Sequence, residues 1–526
     1  MVVSAHPLAS NVGSNILKQG GNAVDAAIAT QFALAVVYPA AGNLGGGGFM
    51  VIRTKDGIFK TLDFREKAPQ SSSETMYLDS VGNVIENLST RGHLASGVPG
   101  SVAGMVAAHN QYGSLPWSSL IQPAVDLALN GFLLTEKEAN GLNRNQKSFK
   151  TYNTIVPDFL IHDWQPGDSI FFTELGQTLE RIRDYGKAGF YEGKTAEFIV
   201  DEMERGNGII SYQDLKSYEA VWREPIVGQY KEYKVVSMAP PSSGGIALMQ
   251  LLKSVEGYQI KKHNSAEAIH LMTEAERRVY ADRATHLGDA DFYEVPIMHL
   301  LDSSYLAESM QTFSPTSKTP SDSIAAGVFG SGESEQTTHF SIVDPFGNAV
   351  AVTTTLNGSY GSKVVVAGAG FLLNNEMDDF SLKPGVPNYY GLIGGKANAI
   401  APGKRMLSSM TPTIIEKNNQ LFMVVGTPGG STIITSVFQT ILNVVEHGMG
   451  MQEAVNSGRV HHQWKPDKIF HEENVISSED STKLANMGHE LANRGQIGRV
   501  DAILVLPDGR LEGGADPRGD DVAIGF

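Results

Sequence analysis

The chain has 526 residues, too many for one ordinary hydrophobic core, which predicts two or three domains or one large layered unit. Its composition, 41% apolar and 19% charged, is globular, and its formal charge of −16 disfavours nucleic acid as a partner and favours small substrates, because phosphates require a basic surface. Without cysteine, the chain excludes disulfides, thiolate metal sites and a cysteine nucleophile.

The first third of the chain predicts helices separated by glycine-rich turns. Leu8 to Gln19 forms a helix closed by two glycines, and Ala23 to Val37 forms a second helix that Pro39 ends. The second helix is the longest apolar run, but it contains Asp25 and is shorter than the ~20 residues that a membrane span requires. We therefore expect this helix to be buried in protein.

Strands and a charged helix follow. NLGGGGFMVI is a glycine run that enters a strand, and TLDFREKAP predicts a second strand followed by Arg65 and Glu66. Ser265 to Leu287 predicts a long amphipathic helix rich in Glu and Arg. Residues 314–336 are dense in Ser, Pro and Gly, which predicts an exposed or mobile linker.

A β-hairpin begins where the linker ends. TTHFSIVD and NAVAVTTTLN have the character of strands, and DPFGN between them predicts a three-residue loop with glycine in the left-handed position. If Asp344 pairs with Asn348, Thr337 lies opposite Thr355 on the same face of the hairpin. The sequence thus predicts a second hydroxyl beside the first threonine.

Thr337 is a candidate nucleophile, although an ordinary β-branched residue at the start of a strand is the alternative. Cleavage before Thr337 would release an α-amine within reach of the hydroxyl, and that amine can serve as its base. The cleavage can be intramolecular. The hydroxyl attacks the carbonyl of Gln336, the acyl group shifts from nitrogen to oxygen, and water hydrolyses the ester.

Three motifs in the last third supply candidate binding groups. Glu376 and Asp379, spaced i, i+3, indicate either a solvated acidic turn or a cation site. Ser408 and Ser409 lie in an apolar setting and indicate an anion site or a tight turn, because buried hydroxyls need partners. The segment TPGGS joins a strand to a helix, so its backbone N–H groups can hold an oxyanion.

The histidines predict no metal site. His461 and His462 are adjacent and point apart, and no carboxylate spacing completes a zinc set. His270 and Glu274 are spaced i, i+4 on a charged helix, which indicates a surface pair. We therefore expect neither a metal nor a cofactor.

Together these motifs resemble the γ-glutamyltransferases of the N-terminal nucleophile hydrolase superfamily. The resemblance implies an α+β fold, a four-layer αββα sandwich, formed jointly by a large subunit of residues 1–336 and a small subunit of residues 337–526 after self-cleavage between Gln336 and Thr337. It also implies that a leader precedes Met1 and that the protein is periplasmic or secreted. The matching segments run in order through nearly the whole chain: GGNAVDAA, GNLGGGGFM, DFREKAP, ASGVPGSVAG, TTHFSIVD, VTTTLN, LLNNEMDDFS, PGVPNYYGL, KRMLSSMTPTI, GTPGGS, HHQW and GADPR.

The resemblance implies a role for each site residue. Thr337 is the nucleophile, the Thr355 hydroxyl bonds to it, and Tyr390 gates the site from the loop PGVPNYYGL. The donor's α-carboxylate is bound by Arg65, Ser408 and Ser409, its α-ammonium by Asn357, Glu376 and Asp379, and the oxyanion by the amides of Gly429 and Gly430.

The implied function is transfer of a γ-glutamyl group. Thr337 would attack the γ-amide of glutathione or a related donor, and the resulting ester would pass to water, an amino acid or a peptide. The expected partners are these small molecules, with no nucleic acid and no membrane. Two alternatives stay open, a glutaryl or cephalosporin acylase of the same fold and a catalytically silent small-molecule binding protein.

Overall fold

Two stacked β-sheets with helices on both outer faces form the four-layer αββα sandwich that the sequence analysis predicted. The computed structural model describes residues 1–260, 262–324, 337–383, 386, 388, 391, 392 and 394–526. Gln336 and Tyr390 lie outside the described residues, as does most of the linker at 314–336.

The strands of the structure are, in chain order, β1 Val2–Ser4, β2 Gly47–Arg53, β3 Phe59–Asp63, β4 Phe132–Leu133, β5 Ser169–Ile170, β6 Val221–Arg223, β7 Ile226–Tyr230, β8 Tyr233–Ser237, β9 Thr338–Val343, β10 Ala349–Thr355, β11 Thr413–Lys417, β12 Gln420–Gly426, β13 Val460–His461, β14 Ile469–His471, β15 Leu491–Asn493, β16 Asp501–Val505, β17 Leu511–Gly514 and β18 Val522–Ile524. The first large sheet has the order β18-β1-β9-β10-β2-β3-β6 and the second the order β17-β16-β12-β11-β8-β7. Both are antiparallel throughout.

The helices are α1 Pro7–Lys18, α2 Ala23–Val37, α3 Ser101–Tyr112, α4 Trp117–Asn130, α5 Glu136–Tyr152, α6 Thr173–Tyr185, α7 Ala188–Tyr191, α8 Gly193–Gly206, α9 Tyr212–Lys216, α10 Gly244–Glu256, α11 Ala266–His286, α12 Ile297–Leu300, α13 Ser303–Ser309, α14 Thr432–Val445, α15 Met451–Asn456 and α16 Ser478–Asn486. Helices such as α2 and α4 cover the first sheet, and α10, α11 and α14 cover the second.

Alternation of side chains along the strands explains the layers, because successive residues of a strand point to opposite faces. In β10, Val350 and Val352 pack beneath the helices, whereas Ala349 and Ala351 face the other sheet. Both faces of each sheet are therefore buried. Small and β-branched residues fill the space between the sheets: Val3, Val51, Val343, Ala349 and Ala351 from the first, and Val236, Ile414, Val424 and Ile503 from the second.

Helix α2 has the predicted bounds, and every one of its residues is buried. Asp25 does not contradict that burial, because its carboxylate accepts from the amide of Asn22 and completes a capping box at the start of the helix. Within the described part of the chain, no helix is long and apolar enough to cross a membrane.

Helix α11 corrects the sequence analysis. Its predicted amphipathic character and the predicted surface pair are wrong, since His270 and Glu274 are 1% and 0% exposed. Glu274 is 3.3 Å from Arg277 and 2.8 Å from Arg278, and these ion pairs within one helix allow its charges to be buried. Spacing alone does not distinguish charges paired in this way from charges in solvent.

The predicted hairpin register is confirmed. Thr338 pairs with Thr354, and the Asp344 amide donates to the Asn348 carbonyl at 3.0 Å. Gly347 has φ of +90°, the left-handed conformation that its place in the loop requires. The hairpin strand β9 lies between β1 and β10 near the middle of the first sheet, so Thr337 is held at the edge of a rigid core.

Candidate active site

Thr337 and Thr355 form the centre of the site. Their Oγ1 atoms lie 3.5 Å apart, and the Thr337 side chain is almost buried. The Asn357 amide donates to the Thr355 Oγ1 at 2.7 Å, so the proton of that hydroxyl points to another acceptor. Asn357 has φ of +69°, and this left-handed turn aims its amide back at the strand end. The structure therefore brings together the two hydroxyls that the register predicted.

Most of the site residues predicted from the sequence line one small cavity. Gly429 lies beside this cavity and, with Thr337, lines a second one of about 720 Å³. The cleavage-site residue Gln336 and the loop residue Tyr390 lie outside the described residues. The small cavity is lined by Arg65, Thr337, Thr355, Asn357, Glu376, Asp379, Ser408, Ser409 and Gly430, among others.

Arg65 is fully buried among carboxyl groups. It lies 2.6 Å from Glu376, 2.6 Å from Asp379 and 3.4 Å from Glu66. Burial raises the pKa of Glu66 to about 7 and the pKa values of Glu376 and Asp379 above their usual range, while Arg65 opposes the shift at all three. Repulsion from neighbouring carboxylates adds to the rise in the pKa values of Glu66 and Glu376. Three carboxyl groups thus surround the Arg65 guanidinium, and this part of the cavity favours a further cation.

The two serines line the same cavity as Arg65. Ser408 and Ser409 are 2% and 7% exposed, as the prediction of paired buried hydroxyls requires. The Met410 amide donates to the Ser408 Oγ at 3.2 Å, and the Arg283 Nη2 donates to the Ser409 Oγ at 2.9 Å. Arg283 was not predicted as a site residue, because nothing in its spacing separates it from the other arginines of α11.

Two glycine amides complete the site between β12 and α14. Gly429 and Gly430 have φ of +140° and +52°, conformations that favour glycine. Neither amide donates a hydrogen bond to any residue in the described ranges. Both precede the N-terminus of α14, where backbone N–H groups and the helix dipole favour an anion. The arrangement can therefore hold an oxyanion near Thr337.

A separate buried group contains His270, Glu274 and His489, whose candidate ligand atoms lie within 4.8 Å of one another. The two imidazoles share a hydrogen bond of 2.7 Å, and Glu274 pairs with Arg277 and Arg278. These contacts engage the ligand atoms internally, and the neighbouring guanidinium groups oppose a metal cation. We assign this group to the packing of α11.

The sequence is similar to known proteins along nearly its whole length. The family model for gamma-glutamyltranspeptidase matches residues 9–526. The chain is 45% identical to a glutathione hydrolase proenzyme of Escherichia coli (strain K12), over 100% of this chain and 92% of the relative.

Solved structures of similar proteins have the same fold. A cephalosporin acylase from Bacillus halodurans superposes with a TM-score of 0.87 at 25% identity, over 99% of this chain and 94% of the acylase. A chain of the gamma-glutamyltranspeptidase from Helicobacter pylori gives a TM-score of 0.60 at 44% identity, over 61% of this chain and 94% of that one. On its sequence, its fold and its cavity of hydroxyls, carboxylates and guanidinium groups, the chain belongs to the gamma-glutamyltranspeptidase family.

Proposed function

We propose that the protein is an autoprocessed γ-glutamyltransferase that cleaves the γ-glutamyl amide bond of glutathione and related donors. Thr337 Oγ1 attacks the γ-carbonyl, the amide C–N bond breaks, and the departing amine takes the proton released from the hydroxyl. The ester on Thr337 is then cleaved by water or by the amine of an amino acid or peptide. The observation that carries this proposal is the meeting of the Thr337 and Thr355 hydroxyls beside a cavity lined by carboxylates.

The cavity suits the free end of a γ-glutamyl group, which is a zwitterion. Glu376 and Asp379 supply negative charge for its ammonium, with Asn357 nearby, and Ser408 and Ser409 supply hydroxyls for its carboxylate. Arg65, which the resemblance assigns to the same carboxylate, pairs with both acids. A bound zwitterion matches this mixture of charges, since it adds one of each sign.

The second cavity offers space for the leaving amine and the acceptor. It measures about 720 Å³ and meets Thr337 and Gly429 from outside the zwitterion pocket. We assign it to the leaving amine and to the acceptor. We also assign the amides of Gly429 and Gly430 to the oxyanion, and Tyr390 to gating of the site.

We propose that cleavage before Thr337 divides the chain into subunits of residues 1–336 and 337–526. The sheets support a lasting association. Strands β1, β2, β3 and β6 precede the cleavage position, and β9, β10 and β18 follow it, yet all seven share one sheet. The second sheet combines β7 and β8 with four later strands. Separation of the fragments would require both sheets to come apart, so we expect a heterodimer. A periplasmic or secreted location is part of the same proposal, and it rests on the resemblance of the motifs.

Purified protein should resolve on a denaturing gel into two fragments that elute together from a native sizing column. Edman sequencing of the smaller fragment should begin Thr-Thr-His-Phe, because Thr337 is the first residue after the cut. The same preparation should release p-nitroaniline from its γ-glutamyl derivative. A new N-terminus at another residue would remove Thr337 from its assigned role, whatever the activity. A processed protein without γ-glutamyl turnover would favour the silent binding protein.

Replacing Thr355 by alanine should slow both maturation and turnover by about 10-fold, the scale of one lost hydrogen bond that orients a nucleophile. Thr355→Ser keeps the hydroxyl and should retain both rates within a factor of about 3. Time courses on gels and initial rates with the γ-glutamyl anilide measure the two effects. Unchanged rates in Thr355→Ala would show that the contact at 3.5 Å is idle.

A further inference from the structure

Arg283 is a second guanidinium in the small cavity. It lies in the last turn of α11 and is 4% exposed. It lines the same cavity as Thr337, Ser408 and Ser409. Its position puts a second positive charge in this cavity, directly beside Ser409.

The two arginines differ in what neutralises them. Arg65 is paired with Glu376 and Asp379 at 2.6 Å each. Among the described residues, the Arg283 side chain donates hydrogen bonds only to hydroxyls, and no carboxylate lies within ion-pairing distance of it. Burial lowers the pKa of Arg283, while Asp379 acts in the opposite direction from farther away. A buried cation without a counterion is unfavourable, so this side of the cavity attracts an anion.

The hydrogen bonds of Arg283 reach both serines. Its Nη2 donates directly to the Ser409 Oγ at 2.9 Å. Its Nε donates to the Ser243 Oγ at 2.9 Å, and that hydroxyl donates to the Ser408 carbonyl at 2.6 Å. One guanidinium therefore holds the backbone of the first serine and the side chain of the second.

Hydrogen bonds from Arg283 and from the Met410 amide set the direction of the two serine hydroxyls. The Ser409 oxygen accepts from Arg283 and the Ser408 oxygen accepts from the Met410 amide, so each hydroxyl keeps its proton for another acceptor. In the described part of the chain, neither hydroxyl donates a hydrogen bond. Two O–H groups beside an uncompensated cation fit a carboxylate, which can only accept.

We propose that Arg283 is a positioning residue for the donor's α-carboxylate. It turns the Ser409 hydroxyl into a donor, holds the Ser408 backbone through Ser243, and supplies positive charge. This inference rests on the proposed γ-glutamyl function. It makes Arg283 a determinant of specificity for donors with an α-carboxylate, whereas the acids beside Arg65 select for the ammonium.

The test compares two p-nitroanilide donors, γ-glutamyl and 4-aminobutyryl, the second being a γ-glutamyl group without its α-carboxylate. In Arg283→Met, kcat/KM for the γ-glutamyl donor should fall about 10- to 100-fold, mainly through KM, because a charge-assisted contact is lost. The rate with the 4-aminobutyryl donor should change by less than about 3-fold. Arg278→Met is the matched control, since Arg278 is a buried arginine of the same helix that pairs with Glu274; it should not change the ratio of the two donors.

If kcat/KM falls equally for both donors in Arg283→Met, Arg283 has a purely structural role and the proposal is overturned. An unchanged KM for the γ-glutamyl donor would also overturn it. If Arg283→Met does not mature, Arg283→Lys provides the measurement, because it keeps the charge but cannot reach Ser243 and Ser409 together. It should show the same selective loss, of smaller size. Wild-type protein inactive on the γ-glutamyl donor would refute the proposed function itself, a result distinct from either of these.

Discussion

Thr337→Ala is expected to yield a single uncut chain of 56.6 kDa with no measurable turnover of γ-glutamyl p-nitroanilide. In the proposed mechanism one hydroxyl performs both reactions, since it attacks the carbonyl of residue 336 during maturation and the donor's carbonyl during catalysis. The adjacent Thr355 cannot replace it, because its Oγ1 lies 3.5 Å away on another strand. A denaturing gel and the anilide assay on one preparation measure both losses.

Two further variants separate the loss of the nucleophile from local damage. Thr337→Ser keeps the hydroxyl and loses only the methyl that restricts χ1, so it should still mature, at a reduced rate. Thr338→Val removes the next hydroxyl along the strand, which is buried and has no hydrogen-bond partner among the described residues. It should mature and turn over normally. Normal maturation of Thr337→Ala would mean that another protease makes the cut.

Glutaryl p-nitroanilide is expected to react at least ~100-fold more slowly in kcat/KM than γ-glutamyl p-nitroanilide. The glutaryl donor has the α-carboxylate position filled but lacks the ammonium, so Glu376 and Asp379 stay buried without an added cation. Side-by-side kinetics with the two anilides measure the ratio. Equal rates, or a preference for the glutaryl donor, would make the acylase the better assignment.

Asp379→Asn should reduce the ratio of kcat/KM between the two donors, because it lowers kcat/KM for the donor with an ammonium more than for the donor without one. Asp378→Asn is the matched control. Asp378 belongs to the same 3₁₀ turn, but its carboxylate accepts from Ser89 at 2.6 Å, so its loss should leave the ratio of the two donors unchanged. If the ratio of kcat/KM for the two donors changes equally in both variants, the cause would be distortion of the turn. Asp379 would then have no specific role in binding the ammonium.

Local patterns in the sequence were sufficient for several elements near the site. The turn DPFGN and the period-2 alternation around it determined the register that places Thr337 opposite Thr355. The strand–glycine–helix pattern at residues 424–442 likewise predicted a strand and a helix joined by the glycine amides, which the structure shows as β12 and α14. These features depend on backbone conformation and side-chain period over a few residues, which the sequence states directly.

The sequence also predicted which side chains bind the donor, but only through resemblance to a family. The α-carboxylate and α-ammonium assignments join residues more than 300 positions apart, such as Arg65 with Glu376 and Asp379. No periodicity carries such a relation. Their meeting in one cavity follows from the stacking of two sheets whose strands come from both ends of the chain.

Charge burial was decided by the tertiary structure alone. The sequence of α11 has the charges of a surface helix, yet the helix is buried. Its charged groups have partners there, since Glu274 forms ion pairs and Arg283 donates to Ser243 and Ser409. The difference is physical, because a buried charge is tolerated only where a partner meets it, and the partners of Arg283 belong to other segments of the chain. By itself, the sequence predicted the candidate nucleophile and determined its hairpin and the glycine turn, whereas the fold decided which charged groups leave water and face the cavity.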